Sequence, residues 1–257
     1  MLRTLAVSLA LILVAPACDS KAKLDPAAQA EQNKKDLANG AARVKDEKYK
    51  EAESMFARVL ENDPENAAAL AGMGRVRLAE KNYQEALSLL ERAAGKLPDD
   101  ASLQASLGEA YDKLDRPVEA ANAYGAALKV EPANGNYGIE QAQALVKAKQ
   151  LDKAEAVLRE VAKTDSQAEF VYTELGDVLR EQGKLDDALK SYMKALIEHV
   201  GDKKAHAGAA AVYELQNNRA KAIDEWSTYI RMDCCSEFSN NTAKVRIKAL
   251  QDAAAAG

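Results

Sequence analysis

The stretch that decides the fold is residues 101–134, ASLQASLGEAYDKLDRPVEAANAYGAALKVEPAN. In it the small Gly108 precedes Ala120 by twelve positions, the large Tyr124 follows Ala120 by four, and Pro132 comes near the end. The alanine recurs every 34 residues, and a fixed period of that length is typical of stacked helix-turn-helix units. This column consists of Ala52, Ala86, Ala120, Ala154, Ala188 and Ala222. The pattern therefore predicts a repeat array.

The neighbouring columns follow the same period. Twelve residues before each alanine stands a small residue, in the order Gly40, Gly74, Gly108, Ala142, Gly176 and Ala210. Four residues after it stands a large one, in the order Phe56, Leu90, Tyr124, Leu158, Tyr192 and Trp226. The first three units also carry Pro64, Pro98 and Pro132, and proline marks a unit boundary because it cannot continue a helix interior. We predict that the small residues let helices approach closely and that the large ones fill the space between helix pairs.

This combination of columns resembles the tetratricopeptide repeat family. The resemblance covers residues 33–236 and implies an all-α fold, a right-handed α-solenoid of six helix-turn-helix repeats. The predicted repeats are 33–66, 67–100, 101–134, 135–168, 169–202 and 203–236. Repeat 1 matches least well in its first helix, where Asn39 and Arg43 replace the usual apolar and aromatic residues. Terminal repeats are often atypical, so we expect this edge to be irregular or frayed.

Residues 237–257 are predicted to contain a closing helix, because the last repeat of a solenoid needs a cover for its apolar face. The segment Asn240-Asn241-Thr242 offers helix-capping side chains. After it, apolar residues follow on an amphipathic spacing, at Ala243, Val245, Ile247 and Leu250. We expect this helix to pack on repeat 6 and the alanine-rich end to fray.

The first residues of the chain differ in kind from the array. Arg3 precedes an apolar run from Leu5 to Val14, which is too short to span a bilayer but suits the hydrophobic region of an export signal. A cysteine, Cys18, follows directly after Ala15-Pro16-Ala17. A cysteine in that place resembles the lipobox of bacterial lipoproteins.

The lipobox resemblance implies a signal peptide over 1–17, lipid on the Cys18 sulfur and amino terminus, and a tether over 18–32. An ordinary signal peptide cut after Ala17 and a retained anchor are the alternatives. A lipid on Cys18 predicts a chain anchored to a membrane of the bacterial cell envelope and facing the periplasm. The outer membrane is favoured, although Asp19 matches the residue associated with inner-membrane retention in enteric bacteria.

Composition favours a helical body without a nucleic-acid partner. The chain has 35 basic and 40 acidic residues and a formal net charge of −5, and loss of residues 1–17 removes one more positive charge. Phosphate binding needs a basic stripe, and the sequence has none. Alanine, leucine, glutamate and lysine dominate, and all are good helix formers.

The histidines and the paired acids predict a protein that is not an enzyme. The two histidines are His199 and His206, whereas acid-base or metal chemistry usually needs several converging groups. The acid pairs at 99–100 and 186–187 fall at predicted turns, where helix capping explains them. We therefore predict no cofactor, no metal and no small-molecule substrate.

The predicted partner-binding surface is the concave wall of the solenoid, which the first helix of each repeat lines. The positions that face this groove in the family are occupied here by Leu37, Val44, Lys45, Arg75, Leu78, Glu109, Asp112, Lys113, Ile139, Gln143, Val146, Lys147, Phe170, Asp177, Arg180, Glu181, Glu214 and Leu215. This mixture of apolar and charged residues suits an extended peptide or a helix. The alternative is a set of solvated helix faces. The carboxylate clamp of chaperone-binding arrays is missing, because Leu37 and Ala41 replace its first-repeat lysine and asparagine.

The adjacent Cys234 and Cys235 leave three outcomes open: a vicinal disulfide, a disulfide to another chain, or two free thiols buried against the closing helix. A structural role is favoured over redox catalysis. Metal binding with His199 is disfavoured because the thiols belong one repeat farther along the stack.

The combination of a signal, a lipidated cysteine and six repeats resembles the pilotin lipoproteins of type IV pili. That resemblance implies a protein partner in the envelope, the pilus secretin, whose insertion and multimerisation the protein assists. The alternatives are a scaffold that recruits cell-wall hydrolases or proteases and, from another class, a thiol-redox protein using Cys234 and Cys235.

Overall fold

The structure is a computed structural model that describes residues 25–164, 168 and 170–255. All the regular secondary structure in those residues is helical. Repeat by repeat, the helices are α1 (Pro26–Lys45) and α2 (Tyr49–Asn62), α3 (Ala67–Ala79) and α4 (Tyr83–Ala94), α5 (Ala101–Lys113) and α6 (Pro117–Val130), α7 (Gly135–Lys147) and α8 (Leu151–Thr164), α9 (Val171–Glu181) and α10 (Leu185–Glu198), and α11 (Lys203–Leu215) and α12 (Arg219–Met232). A π-helical turn (Ser239–Ala243) and α13 (Lys244–Ala255) follow.

The helices stack as a solenoid of hairpins. Each helix from α1 to α12 packs against the next in the chain, and first helices of successive repeats also touch, as α1 with α3 and α9 with α11. Helices α3, α5, α7 and α11 begin at the first residues of their predicted repeats, whereas α9 begins two residues late. The predicted all-α solenoid with a closing helix is confirmed.

The small and large columns meet as the period predicts, and at Phe56 and Tyr192 the contact also uses a second glycine. The ring of Phe56 lies against Gly40 in α1 and Gly72 in α3, where an added Cβ would stand 2.6 Å and 2.3 Å from ring carbons. Tyr192 lies in the same way between Gly176 and Gly208. Each of these two rings therefore joins its own repeat to the next, because only hydrogen leaves room for the ring.

Each hairpin turns through one residue in the left-handed region, again at intervals of 34. These residues are Glu47, Lys81, Asp115, Lys149, Gly183 and Asn217, with φ between 56° and 76°. The amide after the turn residue donates to a carbonyl five residues back, as Asn82 N–H does to Arg77 O at 2.9 Å. This is the Schellman end of a helix, in which glycine is preferred because it has no Cβ.

The left-handed turn residue predicts opposite changes in stability for two substitutions. Lys81→Gly is expected to stabilise the protein by about 0.5–1 kcal/mol, because relief of left-handed strain outweighs the added freedom of the unfolded chain. Gly183→Ala, at φ 76° with no atom within 4 Å of the added Cβ, is expected to cost about 1 kcal/mol. Urea denaturation of both variants measures the pair. Two changes of the same sign would contradict this explanation of the turn.

The first helix starts earlier than predicted. Helix α1 begins at Pro26, and the Asp25 carboxylate accepts the amides of Ala27 and Ala28 at 2.9 Å and 3.0 Å. The prediction of a tether over 18–32 is therefore wrong from Pro26 onward, because aspartate followed by proline forms a good helix start. The predicted signal peptide 1–17, Cys18 and Asp19 lie outside the described residues. Between residues 25 and 255, no described helix has the length and apolar character that crossing a membrane requires.

An ion pair holds α1 to its partner helix. Asp36 is 3% exposed, and its carboxylate accepts Arg58 Nε at 3.0 Å and Nη2 at 2.6 Å. The hydrogen bond from Arg58 lowers the pKa of Asp36 below its ordinary value. Helix α1 is unbroken over 20 residues, so the expectation of a frayed first helix is not met.

The closing helix packs on repeat 6 as predicted, with two local differences. Ala243 is fully buried in a cluster with Trp226 and Tyr229, against which Ile247 and Leu250 also pack. Asn240 to Thr242 lie inside the π-helical turn, which continues into α13, rather than at a helix start. Val245 is 58% exposed, so its assignment to the packed face was wrong. The extra residue of a π turn shifts the register of side chains around the helix.

Candidate functional site

Three clefts lie along the first helices of the repeats, the helices that the sequence predicts to line the concave wall. The N-terminal cleft lies between α1, α3 and the start of α5, the central cleft between α5 and α7, and the C-terminal cleft between α9, α11 and the closing segment. Their volumes are about 310, 490 and 640 Å³. Predicted groove residues reach all three clefts: Leu37, Val44, Lys45 and Arg75 the first, Glu109, Asp112 and Lys113 the second, and Asp177, Arg180, Glu214 and Leu215 the third.

The C-terminal cleft has an aromatic floor. Trp226 stands at the end of the large-residue column, where no seventh repeat follows, and Phe238 from the closing segment packs beside it with ring centroids 6.1 Å apart. Tyr229 supports Phe238 edge-on at 5.3 Å. The small residues Ala207 and Ala211 line the same cleft. The last repeat therefore exposes part of an apolar surface that a following repeat covers elsewhere in the stack.

One wall of this cleft is a charged network built on a buried tyrosine. Tyr192 is fully buried, and its hydroxyl group donates to Asp177 at 2.7 Å and accepts Arg180 Nε at 3.3 Å. Lys204 pairs with Asp177 at 3.1 Å and with Glu174 at 2.5 Å. Burial raises the pKa of Tyr192, so the phenol stays protonated as a donor. Burial opposes the charged form of Lys204, but the two carboxylates outweigh it and raise the pKa of its ammonium group.

The opposite wall centres on Glu214. Its carboxylate accepts Trp226 Nε1 at 2.6 Å and Arg246 Nη1 at 2.9 Å. The indole nitrogen is therefore already bonded. Trp226 is 4% exposed, so Phe238, which is 45% exposed, supplies most of the accessible aromatic surface. Trp226 and Arg246 were missed as site residues, and Trp226 had a signal, because it is the last large residue in a column with no repeat after it.

The central cleft is polar and mostly acidic. Asp112 pairs with Lys147 at 2.5 Å, and Glu109 and Glu140 line the same cleft. Burial, and then repulsion from Asp112 and Glu109, raise the pKa of Glu140. Glu140 was not among the predicted groove residues, because these acids come together only where α5 and α7 line the same cleft.

The N-terminal cleft combines one arginine with apolar walls. Arg75 Nε donates to Ser106 Oγ at 3.0 Å and Nη2 donates to Ser102 Oγ at 2.7 Å. Leu37 and Val44 form the wall on α1, and both pack against the Phe56 cluster. Burial lowers the pKa of the Arg75 guanidinium from its ordinary value.

Several predicted groove residues lie elsewhere. Leu78 is 8% exposed and belongs to the core of repeats 2 and 3, so its assignment to the groove was wrong. Ile139 and Val146 are partly buried against the core, and Gln143 lies on the same helix, α7. Phe170 precedes α9 with φ 66°, and its ring lies 5.9 Å from that of His199.

Glu181 reaches Lys149 at the hairpin turns, at 3.8 Å. This pair joins the turns of repeats 4 and 5. The groove assignment of the residues that reach a cleft stays a prediction.

The two described cysteines are exposed and free, with their sulfurs 2.6 Å apart. The outcome in which both thiols are buried is therefore wrong. The hydrogen bond with Cys234 raises the pKa of the Cys235 thiol, which disfavours the reactive thiolate. His206 bonds to Glu225 at 2.6 Å instead of facing the thiols. In the part of the chain that the structure describes, no three potential metal ligands come together.

Family models identify the class of this protein. One model described as a tetratricopeptide repeat matches residues 43–110 and 77–134, and a second with the same description matches 106–169 and 173–231. The chain belongs to the tetratricopeptide repeat family, and it is a protein-protein interaction scaffold of that family. No curated protein matches the sequence.

Solved structures share the fold. YrrB, described as a TPR protein with an unusual peptide-binding site, is 21% identical with a TM-score of 0.59, covering 74% of this chain and 97% of its own. Pseudomonas aeruginosa pilF is 15% identical with a TM-score of 0.67, covering 88% and 99%. A tetratricopeptide repeat protein from Parabacteroides merdae is 14% identical with a TM-score of 0.65, covering 86% and 93%. At these identities the likeness concerns the fold alone.

Proposed function

We propose that this chain is a lipid-anchored scaffold of the bacterial periplasm that holds a partner protein while a cell-envelope machine is assembled. The observation that carries the binding part is the C-terminal cleft, about 640 Å³ in volume, with its aromatic floor between two charged walls. The export signal and Cys18 of the sequence support the anchored part.

The most specific form of the proposal is assembly of the type IV pilus secretin. It rests on the combination of an export signal, a cysteine placed for lipidation and six repeats, which is the combination that resembles the pilotins. The fold shared with Pseudomonas aeruginosa pilF spans 99% of that chain and supports the common architecture. Outer-membrane anchoring fits this role, and Asp19 is the residue that argues for the inner membrane.

The cleft suits a partner segment that inserts an apolar side chain. Burying one large apolar side chain on the aromatic floor contributes about 1.5–3 kcal/mol. Arg180, Lys204 and Arg246 stand on the walls beside Asp177 and Glu214, so polar groups of either sign on the segment find a partner. Such walls set the register of a peptide more than its affinity.

Affinity capture from detergent-solubilised envelopes tests the proposal. Full-length protein with Cys18 intact is expected to enrich a secretin, and deletion of its gene is expected to remove the heat-resistant secretin multimers. Cys18→Ser is the control for anchoring and is expected to leave the protein out of the membrane fraction. If a cell-wall hydrolase or protease is enriched instead, and the secretin multimers persist after gene deletion, the protein is a scaffold that recruits such enzymes and not a pilotin. Loss of a thiol-redox activity in the Cys234→Ser, Cys235→Ser double variant, with partner capture unchanged, would indicate a thiol-redox protein instead.

A surface variant separates cleft binding from folding. Leu215 lines the cleft and is 60% exposed, so Leu215→Glu is expected to leave the melting temperature unchanged and to lower partner recovery about tenfold or more. Ile197, which is 80% exposed on α10, provides the matched control Ile197→Glu. Equal recovery with both variants would show that the partner does not use this cleft.

A further inference from the structure

We propose that the N-terminal cleft binds a single carboxylate of the partner on Arg75, with an apolar side chain of the same segment packed beside it. The inference rests on the proposed function, because it assigns the chemistry of a second contact in the same groove. It names a ligand group that an acidic side chain or a chain terminus supplies.

Arg75 differs from the other shielded arginines in its charge partners. Among the described arginines that are not exposed, Arg75 alone has no carboxylate within 4.0 Å. Arg77, two residues along the same helix, is paired with Glu53, Glu80 and Glu85. The pKa values of the two arginines shift in opposite directions. Burial lowers the pKa of Arg75, whereas hydrogen bonds to carboxylates, first of all to Glu53, raise the pKa of Arg77. Arg75 is therefore a half-buried cation without its counter-ion.

Two serines hold the Arg75 guanidinium in place. Ser106 and Ser102, both on α5, accept one bond each from Nε and Nη2, which fixes the plane of the guanidinium. The Nη1 group makes no hydrogen bond with a described residue. A guanidinium has five N–H donors arranged to meet a carboxylate, so the arrangement is ready for an anion. Partial burial of a charge without a counter-ion is unfavourable, and a bound carboxylate offsets part of that cost.

The net charge of the cleft favours one anion. Two other charged side chains line it, Lys45 and Asp100. Asp100 Oδ1 accepts the amide of Leu103 at 2.9 Å as the N-cap of α5, and its charge acts on Arg75 only from beyond ion-pair distance. Tyr137 also influences Arg75 and is uncharged at neutral pH. Two cations and one acid leave an excess of one positive charge, which matches one carboxylate.

The remaining walls of the cleft are apolar. Leu37, Val44 and Leu97 line the cleft with Phe56, and Ala41 adds a small residue on α1. The volume of about 310 Å³ suits a side chain or two rather than a long peptide. The cleft therefore selects a carboxylate next to an apolar side chain.

Three fluorescent peptides of the pattern Ser-Leu-Leu-X-Leu-Leu-Ser test the inference. The first has Glu at X and an amidated end, the second has Gln at X and a free terminal carboxylate, and the third has Gln and an amidated end. Fluorescence anisotropy is measured with the full chain. We expect at least one carboxylate peptide to bind about tenfold more tightly than the third, and the tighter of the two identifies the source of the carboxylate.

Variants decide whether Arg75 is responsible. Arg75→Met is expected to abolish the preference for carboxylate while leaving the melting temperature equal or higher, because an unpaired charge is removed. Arg92→Met, which removes an exposed arginine paired with Glu65 outside the cleft, is expected to keep the preference. Arg75→Lys is expected to retain part of it, because lysine lacks the planar fork.

Two results would overturn the inference: equal binding of the three peptides to the wild-type chain, or a carboxylate preference that survives Arg75→Met. A fall in melting temperature in Arg75→Met with an unchanged preference would assign Arg75 a structural role instead. Each of these results leaves capture of the envelope partner and the membrane fraction unaffected, so failure here is distinguishable from failure of the proposed function.

Discussion

Phe56→Ala is expected to lower the free energy of unfolding by about 3–5 kcal/mol, because it removes a buried aromatic ring and leaves a cavity. Phe56 is 2% exposed and packs in one cluster with Ala52, Met73 and Val76. Its ring is also the contact between α1 and α3, where Gly40 and Gly72 lie against it. The loss therefore falls on the interface between repeats 1 and 2.

Urea denaturation and hydrogen exchange measure this effect. Since each repeat touches only its neighbours, exchange is expected to accelerate most in α1 and α2 and least in α11 and α12. Ile197→Ala is the control for an exposed apolar side chain, and a change within about 0.5 kcal/mol is expected. A loss below about 1 kcal/mol for Phe56→Ala, or uniform exchange along the chain, would contradict the interface role.

Gly208→Ala is expected to destabilise the protein by about 1–3 kcal/mol although alanine is the better helix former. The new Cβ would lie 2.4 Å from two ring carbons of Tyr192. That ring has little freedom to move, because the phenol is hydrogen-bonded to Asp177 at 2.7 Å and the side chain is buried. Overpacking therefore outweighs the gain in helix propensity of about 1 kcal/mol.

Gly201→Ala is the matched control, since no atom lies within 4 Å of its added Cβ. A double variant with Tyr192→Leu tests the cause, and the cost of Gly208→Ala is expected to shrink by about 0.5–3 kcal/mol in that background. Stabilisation by Gly208→Ala in the wild-type chain would refute the close contact. Gly208 also lines the C-terminal cleft, so binding of the partner is measured in parallel.

The two largest effects share a physical origin that matters for function. Large residues hold successive repeats at a fixed spacing, and that spacing positions the charged walls of the clefts. Tyr192 shows the link directly, because its ring fills the interface between repeats 5 and 6 while its hydroxyl group orients Asp177 in the cleft. Stability and site geometry are therefore coupled at this residue.

The repeat period is readable from the order of residues, because each repeat uses the same side chains for the same contact. The starts of α3, α5, α7 and α11 coincide with the predicted frames, and Phe56 and Tyr192 fill their predicted spaces. The start of α1 was also readable, since Asp25 and Pro26 form a helix N-terminus that the predicted tether overlooked. The π-helical turn after repeat 6 carried no comparable signal.

The candidate site was predicted less completely, because groove positions describe one helix at a time. Leu78 occupies a groove position yet is buried, in a cluster that also contains residues of α4 and, from the next repeat, α5. Trp226, Phe238 and Arg246 complete the C-terminal cleft only because the closing segment folds back on repeat 6. Contacts between elements of different repeats do not appear in a column of residue types.

Local pattern was enough to establish the helices, their pairing and their period, since side chains at fixed spacings in one repeat create those features. The depth of each cleft, its balance of charges and its exposure to solvent depended on how the repeats pack against one another. Arg75 illustrates the difference. Its type and position are visible in the sequence, but its hydrogen bonds to two serines, and the lack of a carboxylate beside it, arise only where α3 meets α5. Burial and ion pairing depend on which residues lie close together in space, and the packing of the repeats determines which residues those are.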